Sequence, residues 1–135
     1  MIFNLSEAAN LAIHALTYIA NHKELEPVST GLVAKELGAS ENHLSKVFQR
    51  LTKAGLVKSV RGPGGGFFLA LPPEKITLRE IYETIDGTLR RGNCLLNHPK
   101  CDRETCVFGG LVSDIQDQVD DHFSNTTLAN LIEKK

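Results

Sequence analysis

Long apolar runs and a strong net charge are both missing from this chain of 135 residues. No apolar run approaches the roughly 18 residues that indicate a membrane-spanning helix, so we expect no membrane association. The N-terminus lacks the basic stretch and apolar core of a secretory signal, which favours a cytoplasmic protein. The formal net charge is −1, which disfavours a protein that coats nucleic acid through its overall basicity.

Cysteine is also scarce, with three in the chain, and all three lie in one stretch, at Cys94, Cys101 and Cys106. An odd and closely spaced set does not form a disulfide framework, which favours a reducing compartment. Thiolates bind soft metals and iron–sulfur clusters, and a cluster usually takes four protein ligands. The stretch therefore predicts a metal or redox site. Its fourth ligand could be His98 or a side chain from the first helix of a second copy.

Catalytic machinery is not recognisable. There is no nucleophile beside a base and no pair of acids, so we expect a protein that is not an enzyme. The run from Arg61 to Gly66 has the glycine content of a phosphate-cradling loop, but such a loop needs Lys followed by Ser or Thr, and Phe67-Phe68 follow here. With 41% apolar residues, the chain can form one compact domain with a core.

Residues 29 to 71 organise the chain. A short helix is predicted over Leu32 to Leu37, with Ser29 or Thr30 as its N-cap and Gly38 just past its end. A second helix follows from Glu41 to Lys53, because apolar residues recur there at helical spacing. Two helices joined by a turn of about three residues that contains glycine form a helix-turn-helix.

The polar face of the second helix carries side chains that can donate or accept hydrogen bonds. A solvated helix face is one interpretation, and a face that reads base edges in the major groove is the other. The candidates for base reading, including the N-cap, are Ser40, Asn42, His43, Ser45 and Lys46.

A hairpin directly after the two helices predicts a wing. Leu56–Val60 and Phe67–Leu71 are rich in strand-forming residues, and the turn between them is rich in glycine. Arg61 at its start can enter a minor groove. Residues 35 to 61 hold six cationic and two acidic side chains, a local charge of +4. The predicted contacts of the wing with DNA are Arg61, Gly62, Pro63, Gly64 and Gly65.

Two further helices flank the cysteines. A capping pair, Thr77 and Glu80, begins a helix that Gly87 ends. The last long helix runs from about Gly110 to Phe123 and carries an apolar stripe from Phe108 onward. That stripe either packs on its own domain or forms the face of a two-fold dimer.

Three motifs resemble the Rrf2 family of bacterial regulators, which includes iron–sulfur biogenesis regulators, nitric-oxide sensors and cysteine-metabolism repressors. They are residues 40–47 (SENHLSKV), 54–57 (AGLV) and, most specifically, 60–67 (VRGPGGGF). The resemblance implies a mainly α fold with a small β-hairpin wing, that is, a winged helix-turn-helix plus a long C-terminal dimerisation helix. It also implies a homodimeric DNA-binding repressor or activator. Two-fold symmetry of such a dimer predicts a roughly palindromic double-stranded DNA operator.

The implied organisation has three parts. Residues 1–87 form the winged helix-turn-helix domain with the wing at 56–71, residues 88–109 form a sensor loop, and residues 110–135 form the dimerisation helix and a closing helix. We call residues 88–109 the cysteine loop. In cluster-binding members of the family, three cysteines lie in this loop, which implies that Cys94, Cys101 and Cys106 hold a [2Fe–2S] or [4Fe–4S] cluster.

The fourth ligand differs from the family patterns. Where the biogenesis regulator has a ligand histidine, this chain has Gly109, and where the nitric-oxide sensor has an aspartate, it has Asn10. His98, Glu7 and Asn10 remain the candidates.

Other chemistries for the cysteines stay open. They are a zinc site of three cysteines and His98, a thiol switch tuned by Lys100 or Arg103, and inert thiols. A regulator without a cluster, controlled by a partner enzyme or a small effector, is the main alternative function. A metal-thiolate protein on the same fold is the lesser one.

Overall fold

The computed structural model describes residues 4–89 and 106–133. These residues form a mainly helical fold with a two-stranded antiparallel hairpin and a C-terminal helix, which confirms the predicted fold class. The elements in chain order are α1 (Glu7–Asn21), α2 (Thr30–Leu37), α3 (Glu41–Lys53), β1 (Val57–Val60), β2 (Gly66–Leu69), α4 (Leu78–Asp86) and α5 (Leu111–Asn125). Short 3-10 turns lie at Lys23–Leu25, Pro73–Lys75 and Leu128–Leu131.

Helix α1 lies at the centre of the fold and packs against α2, α3 and α4. Most of its buried face is alanine, which lets the neighbouring helices approach closely. Its N-cap is Ser6, whose Oγ accepts the Ala9 N–H at 3.0 Å. The buried residues of α1 are Ala9, Ala12, Ala15, Leu16, Ile19 and Ala20.

Local capping sets the bounds of the next two helices. Ser29 Oγ accepts the Leu32 N–H at 3.1 Å, so α2 begins at Thr30, two residues before the predicted start. Gly38 then adopts the left-handed conformation, with φ 65°, and ends α2. Ser40 caps α3, whose bounds match the prediction. The turn between the helices is therefore residues 38–40.

The C-terminal segment is held to the rest of the domain by backbone hydrogen bonds. Leu78 N donates to Thr126 O at 3.0 Å, and Leu128 N donates to Ile76 O at 2.9 Å. Asn21 at the end of α1 donates to Leu131 O at 3.1 Å. The predicted closing helix is a 3-10 helix, and its N-cap is Thr127.

Helix α5 divides the apolar stripe that its sequence predicts. Val112 is buried, and Phe123 is half-buried and makes an edge-to-face contact with Tyr82 of α4. Leu111 and Ile115 are 52% and 39% exposed. The predicted stripe is therefore shared, because the helix buries one side against its own domain and leaves another side uncovered.

No helix within the described ranges is long and apolar enough to cross a membrane.

Candidate DNA-binding surface

The surface of α3 follows from the division of its residues between core and solvent. Leu44, Val47, Phe48 and Leu51 are buried and fix the rotation of the helix about its axis. That rotation leaves Asn42 and Lys46 exposed, with His43 and Ser45 half-buried beside them. Ser40 Oγ accepts the His43 N–H at 3.2 Å, so this side chain caps α3. The predicted reading residues thus lie in the first two turns of one accessible helix.

The wing turn depends on glycine for two different reasons. Gly62 and Gly64 have φ values of 96° and 77°, which side chains rarely adopt. Gly65 instead lies against backbone, because an added Cβ would stand 2.8 Å from Gly62 O and collide with Val60 O. Arg61 and Pro63 at the tip are exposed. The turn therefore presents one cation on a compact, tightly folded backbone.

The wing is fastened to the helices at Phe67. Its N–H and C=O exchange hydrogen bonds with Val28, both at 2.8 Å, which adds a bridge on the far side of β2. The Phe67 ring stacks on Phe48 of α3, with 4.2 Å between ring centroids and 8° between planes. Gly66 permits this approach, because an added Cβ would collide with Val28 O. The wing therefore has a defined position relative to α3.

Charge is unevenly distributed over the described surface. The six cations of residues 35–61 are all exposed, whereas α5 carries aspartates and neither Lys nor Arg. A phosphate backbone is attracted to the first region and repelled by the second. The cations are Lys35, Lys46, Arg50, Lys53, Lys58 and Arg61, and the α5 acids are Asp114, Asp117, Asp120 and Asp121.

The cysteine loop is described at its two ends. Cys106 is exposed, and its Sγ accepts the Phe108 N–H at 3.4 Å. Glu7 and Asn10 are exposed in the first turns of α1. Cys94, Cys101 and His98 lie outside the described residues. In the parts that are described, no group of three metal-ligating side chains comes together.

The glycine-rich wing after a helix-turn-helix agrees with the family comparison. The model of a family described as an iron-dependent transcriptional regulator, Rrf2, matches residues 5–134. The chain belongs to the Rrf2 family. Its relatives are transcription regulators and not enzymes, so this Rrf2 protein is a DNA-binding transcription regulator, as the sequence predicted.

Individual relatives resemble this Rrf2 chain over nearly its whole length. A helix-turn-helix-type regulator of Aquifex aeolicus is 35% identical, covering 98% of this chain and 92% of the relative. IscR of Pectobacterium carotovorum is 30% identical, covering 97% and 80%. Among solved structures, CymR, the global cysteine regulator of B. subtilis, has a TM-score of 0.77 at 29% identity, covering 96% and 95%. IscR of T. potens has a TM-score of 0.71 at 26% identity, covering 96% and 85%.

Two features of this Rrf2 protein escaped the sequence analysis. The pairing of Val28 with Phe67 joins a connector to the wing, and nothing in the sequence around Val28 signals a strand. Arg50 reaches from α3 to α4, a partner 34 residues away. Both contacts depend on tertiary placement, which local patterns do not encode.

Gly66→Ala should detach the wing from its support. The new Cβ collides with the Val28 carbonyl, so the hairpin must shift, and such overpacking costs about 1–3 kcal/mol. We expect urea denaturation to show that loss in the free energy of unfolding, and fluorescence anisotropy to show roughly tenfold weaker operator binding.

Gly31→Ala provides the matched control. An added Cβ there meets nothing nearer than 3.5 Å, and alanine favours the helix over glycine by about 0.5–1 kcal/mol. Its stability should equal or exceed that of the native protein. Equal behaviour of the two variants would contradict the proposed support of the wing.

Proposed function

We propose that this protein is a homodimeric regulator that binds a roughly palindromic operator and whose affinity for it is set by an iron–sulfur cluster on Cys94, Cys101 and Cys106. The observation that carries the proposal is the location of all three cysteines. They lie in the loop between α4, which packs on the DNA-binding helices, and α5, which carries an uncovered apolar face.

The proposed DNA contacts follow the accessible groups of the winged module. Helix α3 enters the major groove, where Asn42, His43, Ser45 and Lys46 face base edges, with Ser40 at the N-terminus of the helix. The wing lies at the neighbouring minor groove. Arg61 enters the groove, and the backbone of residues 62–65 approaches the phosphates because glycine and the short Pro63 leave little bulk there.

The proposed dimer rests on the uncovered side of α5. Four large apolar side chains in and before its first turns are exposed. Contiguous exposed apolar groups of this kind mark interaction surfaces, and a second copy of the same helix offers a self-complementary partner. The exposed fractions are 67% for Val107, 48% for Phe108, 52% for Leu111 and 39% for Ile115.

The residues present fit a cluster. Three thiols suit iron, and the Cys106 sulfur already accepts a backbone N–H, the kind of hydrogen bond that tunes cluster sulfur ligands. Gly109 has φ 61° in the turn before α5, a conformation suited to glycine, which fits the absence of a side-chain ligand there. The fourth ligand then comes from His98, Glu7 or Asn10, the last two exposed on α1.

Binding of a cluster by the cysteines would change how the dimer fits its operator. A bound cluster would supply sensitivity to iron, oxygen or nitric oxide. The cysteines would join the middle of the loop to Cys106, five residues before α5 begins. Cluster binding would thereby set the position of α5, and through the dimer the separation of the two α3 helices on the operator.

Control without a cluster is the second candidate. The likeness to CymR, a cysteine regulator, favours a member of the family that is governed by thiol oxidation, a partner enzyme or a small effector. Cys106 is an exposed thiol in the described part of the loop, as an oxidation site requires.

Arg61→Ala should weaken specific operator binding by about tenfold to a hundredfold, because a groove-inserted arginine contributes roughly 1–3 kcal/mol. Fluorescence anisotropy over a salt series measures this. Lys75→Ala removes the same charge from an exposed turn packed against the C-terminal 3-10 helix, and it should bind as the native protein does. Native affinity in Arg61→Ala would remove the wing from the interface.

Leu111→Asp should separate the dimer, because it places a charge in the apolar face and leaves the buried Val112 untouched. Light scattering should then give the mass of one chain, 14.8 kDa, where the native protein gives twice that mass. Ser113→Asp adds the same charge at an exposed neighbouring position and should stay dimeric. A Leu111→Asp dimer as stable as the native one would place the interface elsewhere.

Anaerobic purification tests the cluster. We expect a brown protein with visible charge-transfer absorbance and with both iron and acid-labile sulfide, and loss of all three in Cys94→Ala, Cys101→Ala and Cys106→Ala. The variants should keep their helical circular dichroism. A colourless protein that iron and sulfide cannot reconstitute would favour the second candidate, and zinc in the metal analysis would indicate a structural metal.

A further inference from the structure

Helix α3 is hydrogen-bonded to the C-terminal end of α4 through the side chain of Arg50. Arg50 Nη2 donates to Thr84 O at 3.2 Å and to Ile85 O at 2.6 Å. Carbonyls in the last turn of a helix lack intrahelical donors and carry partial negative charge, so a guanidinium is well matched to them. The orientation of α3 is thereby tied to the last turn of α4.

The same turn of α4 holds the start of the cysteine loop. Glu83 Oε2 accepts the N–H of Leu89, a buried residue in that loop, at 2.9 Å. Glu83 Oε1 pairs with Arg79 Nε at 3.2 Å, and Arg79 Nη1 donates to Ser124 Oγ of α5 at 3.2 Å. One helical turn therefore contacts α3, the cysteine loop and, through Arg79, α5.

We propose that the last turn of α4 is the mechanical link between the cysteine loop and α3, with Arg50 and Glu83 as the positioning residues on its two sides. Neither residue has to touch DNA or a bound metal for this role. That the loop carries a cluster signal rests on the proposed function, whereas the link itself does not depend on a cluster.

A phosphate contact is the competing role for Arg50, since the residue is exposed within the basic region. The two roles differ in salt dependence. Loss of a phosphate contact lowers the slope of log affinity against log salt by about one. Loss of a positioning contact weakens discrimination between operator and random DNA and leaves that slope in place.

Coupling between two sites is reciprocal, so DNA binding at α3 should affect the start of the cysteine loop. This effect can be measured without any cluster. Amide hydrogen exchange is followed in peptides covering residues 84–89, with and without a duplex that the native protein selects from a random pool. In the native protein we expect duplex binding to slow exchange there several-fold. In Arg50→Met, which keeps an unbranched apolar stem, that response should be lost.

Lys53→Met is the matched control, because it removes a charge from the same end of α3, where Lys53 is exposed. It should keep the exchange response and lower the salt slope.

Glu83→Ala tests the contact between α4 and the cysteine loop. In the absence of DNA, the Leu89 amide should exchange at least about tenfold faster in this variant, because its hydrogen bond to the Glu83 carboxylate is lost. Binding of the duplex should no longer slow exchange at Leu89.

Three results would overturn the link. They are an unchanged exchange at residues 84–89 when the native protein binds DNA, a native response in Arg50→Met, or a salt slope in Arg50→Met reduced as in Lys53→Met. If the native protein holds no iron but the exchange response is present, the link stands and the cluster proposal fails. Circular dichroism and thermal unfolding of each variant should match those of the native protein.

Discussion

The contact of Phe67 with Val28 and Phe48 is the constraint on which the DNA-binding surface depends. Offset-stacked rings contribute about 0.5–1.5 kcal/mol beyond their burial, and here one ring belongs to the wing and the other to α3. The two backbone hydrogen bonds between Phe67 and Val28 also fix the position of the wing relative to the helices. The wing and α3 are thus held as one unit, so the two elements proposed to enter neighbouring grooves have a fixed separation.

Features encoded within a few residues were predictable from the sequence. Ser40, Ser29 and Thr77 cap the helices that follow them, because the hydroxyl and the N–H that it accepts are three residues apart. The glycines of the wing were predictable for a similar reason, since a positive φ is a property of one residue. These local rules, with apolar spacing, account for most of the fold and for which side of α3 faces solvent.

Contacts between distant parts of the chain were not predictable. The apolar spacing in α5 identifies a helix but cannot say which side meets its own domain, so the division between Val112 and Leu111 required the tertiary structure. Gln116 is a further case, a polar residue that is 1% exposed on that helix, whereas composition alone would place an amide in solvent. The bonds of Arg50 to α4 likewise join segments whose proximity no local pattern records.

The bridge at Val28 also determines which strand is left at the edge of the small sheet. Strand β2 is flanked on both sides, by β1 and by Val28, so within the described part of the chain β1 is the open edge. An open edge invites pairing with another chain, but β1 has only four residues and carries Lys58 and Ser59 exposed at its middle. A short, charged edge of this kind opposes strand-to-strand aggregation.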